Sequence, residues 1–296
     1  PATTLLLRPG DHGPDVELLQ ALLKTHGYAL AIDGDFGPKT DAAVRDFQRR
    51  HGLQSDGLAG YLTFAALRGE PLPAALRPLT TPVRDLPMPR SEFIPSATPK
   101  RAIVLHHTAG GHRPDNVIRW WSTDNQGRVA TAFVIGGLPA SGDPGYDGVI
   151  YRAFDERYWA YHLGVQGPGA GTLDAQAIAI EVCNWGFLRK IDDGRYLNYV
   201  GGEVPAAQVV KLSKPFRGFS YYHRYTDAQL TALRALVLDL ANQFSIQVAG
   251  RYSAAWFKES PQALAGAPGL WSHVHYRTDK TDLSPQPALI DMLNSL

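Results

Sequence analysis

Apolar residues recur at helical spacing in the first seventy positions and in short unbroken runs beyond position 100, so the two parts of the chain predict different structures. In the first part, "DVELLQALLKTHG" (15–27) is an amphipathic helix ending at a glycine. A second helix carries Ala43, Val44 and Phe47, with Thr40 placed to cap it. There is an internal echo: "DGDFGPKTDAAVRDFQ" (33–48) and "DGLAGYLTFAALRG" (56–69) each run from Asp-Gly through a glycine turn and a threonine into a helix. This predicts a small all-α three-helix module. In the second part, "AIVLHH" (102–107), "ATAFVIG" (130–136), "DGVIYRAF" (147–154) and "AIAIEVC" (177–183) predict buried strands. Helices are expected over 114–122, "PDNVIRWWS", and after Thr226, where "TDAQ" forms a capping box ahead of a stripe of Leu230, Leu233, Val237, Leu240 and Phe244. Apolar strands mixed with amphipathic helices predict an α/β (α+β) domain with one central mixed sheet flanked by helices.

Between the two parts, residues 71–99 are dense in proline and have no periodicity, which predicts a semi-rigid linker. The expected organisation is therefore a module over 1–70, a linker over 71–99 and a larger domain over 100–296. A net charge of +1 over 296 residues excludes the basic excess of a nucleic-acid binder and steers only weakly toward an anionic partner such as a cell wall. No run approaches the roughly 18–20 apolar residues of a membrane span, and no basic stretch followed by an apolar one opens the chain. The expectation is action in the cytoplasm, export by a route the sequence does not encode, or a leader already removed. Cys183 is the single cysteine, so any transition-metal site must be built from histidines and carboxylates.

Two segments concentrate such groups. "IVLHHTAG" (103–110) ends a buried strand on His106 and His107, at the edge where open α/β sheets keep their sites. "WSHVHYRTDKTDLSP" (271–285) brings His273, His275, Asp279, Lys280 and Asp282 together. One histidine from the strand end with a histidine and an aspartate from this segment would make a three-ligand hydrolytic zinc site. His273 and His275 as an HxH ligand pair, or a solvated charged loop, are the alternatives. In an extended segment Lys280 and Asp282 would share a face. Glu181 follows "AIAI" on an apolar strand, where desolvation raises a carboxylate's pKa toward the range of a general base; pairing with an arginine is the competing role. His12, His26 and His51 in polar turns, and His112 and His223 in loops, are expected at the surface.

Residues 6–69, through "DGDFGPKTDAAVRDFQRRHGLQSDGLAG", resemble the peptidoglycan-binding module appended to cell-wall hydrolases. Over residues 101–295, "IVLHHTAG", "ATAFVIG", "YWAYHLG", "AIAIEVCNWG" and "SHVHYRTDKTDLSP" resemble, in order and approximate separation, the zinc-dependent N-acetylmuramoyl-L-alanine amidases. The resemblance implies one Zn2+ held by His106, His273 and Asp282, with Glu181 as general base and Lys280, in the family's "KTD" motif, stabilising the oxyanion. It places His107, Thr131, His162 and Asn184 along the substrate groove, His107 with a structural role as the other option. Many members have a tyrosine where this chain has Thr131, so the base role rests on Glu181. "KTDLSP" departs from the commoner "KTDPG", and the segment from His273 to Asp282 varies in length within the family, which keeps His275 open as a substitute ligand. Residues 187–220 look like an insertion, either a wall of the groove or a surface hairpin. The implied protein is a monomeric peptidoglycan hydrolase acting at the bacterial cell wall, an endolysin or autolysin, with no nucleic-acid partner and no membrane span. A non-catalytic recognition protein and an anhydro-muropeptide recycling amidase are the alternatives, the second disfavoured by the wall-binding module.

Overall fold

The computed structural model describes residues 6–51, 53, 55–69, 83–124, 127–167 and 169–296, which fall into two compact units: Pro1–Thr80 with Leu238–Ser245, and Thr81–Val237 with Ile246–Leu296. The smaller unit holds helices α1 (Pro14–Thr25), α2 (Pro38–Arg50) and α3 (Tyr61–Leu67). Val16, Leu19, Leu23, Phe36, Val44, Phe47 and Phe64 are buried together, the stripe expected from helical spacing.

The echo in the sequence becomes a repeated hydrogen-bond clasp. Gln20 donates from Nε2 to Asp33 Oδ1 (2.7 Å), the Asp35 carbonyl (2.9 Å) and Thr40 Oγ1 (3.2 Å), while its Oε1 accepts from the backbone N–H groups of Asp33 and Gly34. In the second copy Gln48 donates to Asp56 Oδ1 (3.0 Å), the Leu58 carbonyl (2.8 Å) and Thr63 Oγ1 (3.2 Å), and accepts from Gly57 N–H. Each clasp surrounds an Asp-Gly pair whose glycine has positive φ, +70° at Gly34 and +76° at Gly57, a conformation that costs glycine least. Thr40 therefore does not cap: α2 starts at Pro38, whose fixed φ suits the first turn, and the Thr40 hydroxyl serves the clasp instead. Removing either glutamine leaves several buried polar groups without partners. Gln20→Ala or Gln48→Ala is expected to cost about 2–3 kcal/mol, checked by hydrogen exchange of the amides in α1–α3, which should speed up while the larger unit keeps its protection.

Among the described residues of the larger unit, eleven strands form two sheets. Strands β1 (Val83–Asp85), β2 (Ala102–His107), β3 (Phe133–Ile135), β4 (Ile150–Arg152), β5 (Ala177–Val182) and β11 (Gly269–Ser272) make a mixed sheet in the order β1-β4-β3-β5-β2-β11. β3, β5, β2 and β11 run parallel and β4 is antiparallel to β3. β2 and β5 are buried almost throughout, as unbroken apolar runs require in parallel strands. Helices α4 (Pro114–Trp121) and α5 (Ala170–Ala175) pack on β3, β4 and β5. The longest helix among the described residues, α6 (Asp227–Gln243), which belongs to this unit up to Val237, opens with the expected box: Thr226 Oγ1 accepts from Gln229 N–H, and Gln229 Oε1 accepts from Thr226 N–H. The short α7 (Pro261–Leu264) and α8 (Pro287–Asn294) complete the unit.

Two expectations need correction. Of the proline-dense segment, residues 70–82 lie outside the described residues, but 83–99 belongs to the larger unit: β1 pairs with β4, and Leu86, Met88 and Ile94 bond to Arg152, Ala153 and Trp159. Proline is tolerated there because β1 is an edge strand, where only one side of the backbone needs partners. The insertion forms a second, five-stranded antiparallel sheet from β6 (Phe187–Lys190), β7 (Tyr196–Leu197), β8 (Glu203–Val204), β9 (Val209–Phe216) and β10 (Phe219–His223), in the order β8-β7-β6-β10-β9. His223, expected at the surface, ends β10 buried, with Nδ1 accepting from Trp185 N–H and Nε2 beside Gln208 Oε1.

Candidate active site

Strand register brings the polar residues together. His106 on β2 lies opposite Glu181 on β5, and Ser272 at the end of β11 lies opposite Leu105, which sets His273 level with His106 one residue later. His106 Nδ1 is 3.1 Å from His273 Nδ1 and 3.2 Å from Asp282 Oδ2, and His273 Nδ1 is 3.0 Å from the same oxygen. All three side chains are buried. Burial, with His273 alongside, lowers the His106 pKa to about 4, so its imidazole is a neutral donor. Burial alone would raise Asp282, but the neighbouring His273 and His106 imidazoles outweigh it and hold the carboxylate ionised.

This donor set fits a zinc ion. Ligands about 2.0–2.1 Å from a tetrahedral ion are roughly 3.3 Å from one another, close to the three separations found. Neutral imidazole nitrogens facing each other and a carboxylate need a shared cation or proton to satisfy their lone pairs. The outer ring nitrogens are also oriented. His273 Nε2 is 2.9 Å from the Leu163 carbonyl, which makes it the N–H donor and leaves Nδ1 free to coordinate. His106 Nε2 is 3.0 Å from His162 Nδ1.

His162, expected along the groove, lines the same cavity as the three side chains and also backs His106; its side chain is only 4% exposed. Asp174 anchors this segment by accepting from the backbone N–H groups of His162 (2.8 Å) and Leu163 (2.9 Å). His162→Ala is expected to lower zinc affinity by roughly 10- to 100-fold, measured by competition with a chromophoric chelator. His162→Asn, whose amide oxygen can accept from His106, should recover part of that loss.

The remaining expected residues divide. Glu181 and Lys280 line, with the three donors, a cavity of about 460 Å³ that also includes Thr131. Burial, then the Asp282 charge, pushes the Glu181 pKa well above the carboxylate range, and neither Glu181 nor Lys280 has an ion-pair partner among the described residues. The arginine-paired alternative for Glu181 is therefore not what forms. Thr131 borders the cavity, with its hydroxyl donating to the Phe133 carbonyl. His107 also borders it, but its Nδ1 is 3.0 Å from the Tyr225 hydroxyl and its Nε2 approaches Gly186, where a Cβ would sit 2.6 Å away. Gly186 has φ +73°, so that position has both a steric and a backbone reason to be glycine. Asn184 is not a groove residue: it is buried, donating to the His223 carbonyl (3.1 Å) and accepting from Gly186 N–H (2.8 Å), and so ties β5 to the second sheet. His275 stays outside the donor cluster. Its Nδ1 accepts from Ser272 N–H, and its ring lies 4.2 Å from Trp256 and 5.2 Å from Trp271.

A second groove of about 450 Å³ adjoins the first, with Glu181, Thr108, Ala109, Trp120 and Trp121 lining both. Trp120 and Tyr199 in it were not anticipated. Adjacent tryptophans in "IRWWS" did carry a signal for the first, because neighbouring positions on a helix cannot both face the core; Trp121 is buried and Trp120 is 53% exposed.

A matching segment of 61 residues is 48% identical to the zinc D-Ala-D-Ala carboxypeptidase of Streptomyces albus G, covering 20% of this chain and 24% of that protein. Another, of 57 residues, is 42% identical to the N-acetylmuramoyl-L-alanine amidase CwlM of Mycobacterium tuberculosis, covering 19% and 14%. The chain spans about a quarter of the length of the first of these relatives and less of the second. Among solved structures, a Burkholderia AP3 phage endolysin is 43% identical over 25% of this chain and 29% of that one, with a TM-score of 0.24. The amidase LysC of Clostridium intestinale is 16% identical over 73% and 97%, with a TM-score of 0.37. The peptidoglycan binding domain family matches residues 12–67 and the N-acetylmuramoyl-L-alanine amidase family residues 96–285, well over half of the chain, and it is to this amidase family that the protein belongs.

Proposed function

We propose that the protein is a peptidoglycan hydrolase that cleaves the amide between the lactyl group of N-acetylmuramic acid and the L-alanine of the stem peptide. The observation that carries this reading is the convergence of His106, His273 and Asp282 beside Glu181 and Lys280 on one cavity. Zinc held by the two histidines and Asp282 would supply Lewis-acid polarisation of the scissile carbonyl and activation of water at neutral pH. Glu181, with its pKa raised by burial, takes the proton from the attacking water and returns it to the leaving amine. Lys280 faces the same cavity and offers its ammonium to the oxyanion of the tetrahedral intermediate. His273 and His106 keep their outer nitrogens on Leu163 and His162, which holds the donor atoms in place as charge develops.

The smaller unit supports a polymeric substrate, because tethering raises local concentration only for an enzyme whose substrate is the wall itself. It thereby favours wall hydrolysis over recycling of soluble muropeptides. The presence of all three donors and of Glu181 speaks against a purely binding role. Mass spectrometry of the soluble products released from purified peptidoglycan, with and without a zinc chelator, tests the proposal. Stem peptides with free L-alanine amino termini, lost on chelation and regained with zinc, are expected. Wall left intact with protein bound to it, or cleavage at a sugar or cross-bridge bond, would overturn it.

A further inference from the structure

The insertion over 187–220 has one feature that its sheet alone does not require. At the turn between β7 and β8, Tyr199 is 53% exposed, yet its position is tightly specified. The preceding Asn198 is buried and its Oδ1 accepts from the N–H groups of Val200 (3.1 Å) and Gly202 (2.8 Å). Its backbone closes the same turn, with Asn198 N–H on the Gly202 carbonyl (2.8 Å) and Gly201 N–H on the Asn198 carbonyl (3.0 Å). The Trp185 ring, 6.4 Å away, flanks Tyr199 from inside. A single exposed aromatic is ordinary, but Tyr199 lines the same groove as exposed Trp120 on α4. Two large rings held out of the core on one groove, one of them on a turn fixed by a buried asparagine, make a surface suited to a flat, partly apolar ligand.

Chemistry selects the ligand. This groove meets the metal-donor cavity at Glu181, so a substrate bond reacting there extends into both. In an amide between a lactyl sugar and a peptide, one side is a largely uncharged saccharide and the other a peptide carrying carboxylates. The guanidinium in the groove, Arg113, is already engaged by Asp115 through Nε (3.1 Å) and Nη2 (2.6 Å). Lys280, without an ion-pair partner among the described residues, lies in the donor cavity. With the groove's guanidinium already taken, the peptide falls to the donor cavity, whose polar lining beside Lys280 includes Thr281 and Asp279. The sugar, whose axial C–H groups form apolar faces and whose acetamido and hydroxyl groups suit Asn116, matches the groove with Trp120 and Tyr199. Resting on the hydrolase reading above, we propose that Trp120 and Tyr199 form a saccharide subsite that holds the glycan strand, so that the insertion is a substrate-recognition element.

The test uses the full chain and a peptide-free disaccharide, N-acetylglucosaminyl-N-acetylmuramic acid. All six tryptophans lie beyond residue 119, so tryptophan emission, excited selectively over tyrosine, reports on residues of the larger unit. Saturable quenching of the wild type is expected. Tyr199→Ala should weaken binding about tenfold, while Tyr199→Phe, which keeps the ring, should bind like the wild type. With muropeptide substrates Tyr199→Ala should raise KM by a similar factor and leave kcat nearly unchanged. Trp120→Ala, assayed by KM because it removes a reporter, should do the same. Disaccharide binding that is equal in wild type and Tyr199→Ala, or competition by free stem peptide that Tyr199→Ala abolishes, would overturn the subsite. Because the titration needs no turnover, an inactive wild type that still binds the disaccharide through Tyr199 would overturn the hydrolase reading and leave the saccharide site standing.

Discussion

Asp282→Ala is expected to lower zinc affinity by more than about a hundredfold, beyond the loss typical of removing an outer-sphere partner, and to abolish zinc-dependent hydrolysis with it. Asp282 is the one anionic donor in the set; without it the two imidazoles offer no charge to offset a divalent cation. The change also leaves His106 Nδ1 and His273 Nδ1 only 3.1 Å apart without the carboxylate that both approach, in a buried site where an unmatched polar group is costly. Asp282→Asn keeps the shape and loses the charge, so its affinity should fall between wild type and alanine. Zinc content by inductively coupled plasma mass spectrometry after dialysis, with circular dichroism to confirm folding, decides the matter. Wild-type zinc stoichiometry and affinity in a folded alanine variant would remove Asp282 from the metal site.

Glu181→Gln is expected to separate metal binding from turnover. Glutamine preserves volume and hydrogen-bonding shape but cannot accept the proton, so kcat should drop by about 10²–10⁴, the usual contribution of a positioned general base. Zinc affinity should stay at the wild-type value, because Glu181 lies outside the group of atoms that converge on the metal position. The contrast between the two variants is the informative result. Loss of zinc in Glu181→Gln would make the glutamate a ligand, and turnover within a few-fold of wild type would give the base role to another group. Thr131 is a poor substitute, since its hydroxyl already donates to the Phe133 carbonyl.

Local pattern determined more of this protein than composition did. The apolar run of residues 102–105 specified a buried strand and carried two histidines to its end, and the capping residues around Thr226 specified where α6 begins. The echoed Asp-Gly segments specified two equivalent turns, though not the glutamines that clasp them, because each glutamine lies in the helix before its Asp-Gly pair, Gln20 ahead of the first stretch and Gln48 at its very end, with no counterpart at the same place in the other copy. The cluster of His106, His273 and Asp282 and the nearby Glu181 were legible mainly through family resemblance. Spacing alone could not choose between His106 and His107, since alternation along a strand says only that they face opposite sides and both sides of this sheet are covered.

Tertiary structure made the choices that depend on distant partners. His106 meets His273 across 167 residues, and His107 meets Tyr225 across 118, so each histidine's role follows from what the chain later brings to its side of the sheet. The same reason makes His162 a support for His106 and gives Asn184 to the backbone of β10. Proline density suggested a linker where residues 83–88 in fact pair along the sheet edge, because proline content reports missing donors and cannot say whether a neighbouring strand needs them. The sequence by itself determined the elements and the chemistry available at their ends; only the fold decided which of those ends share a cavity, because that depends on register and packing between segments that no local pattern connects.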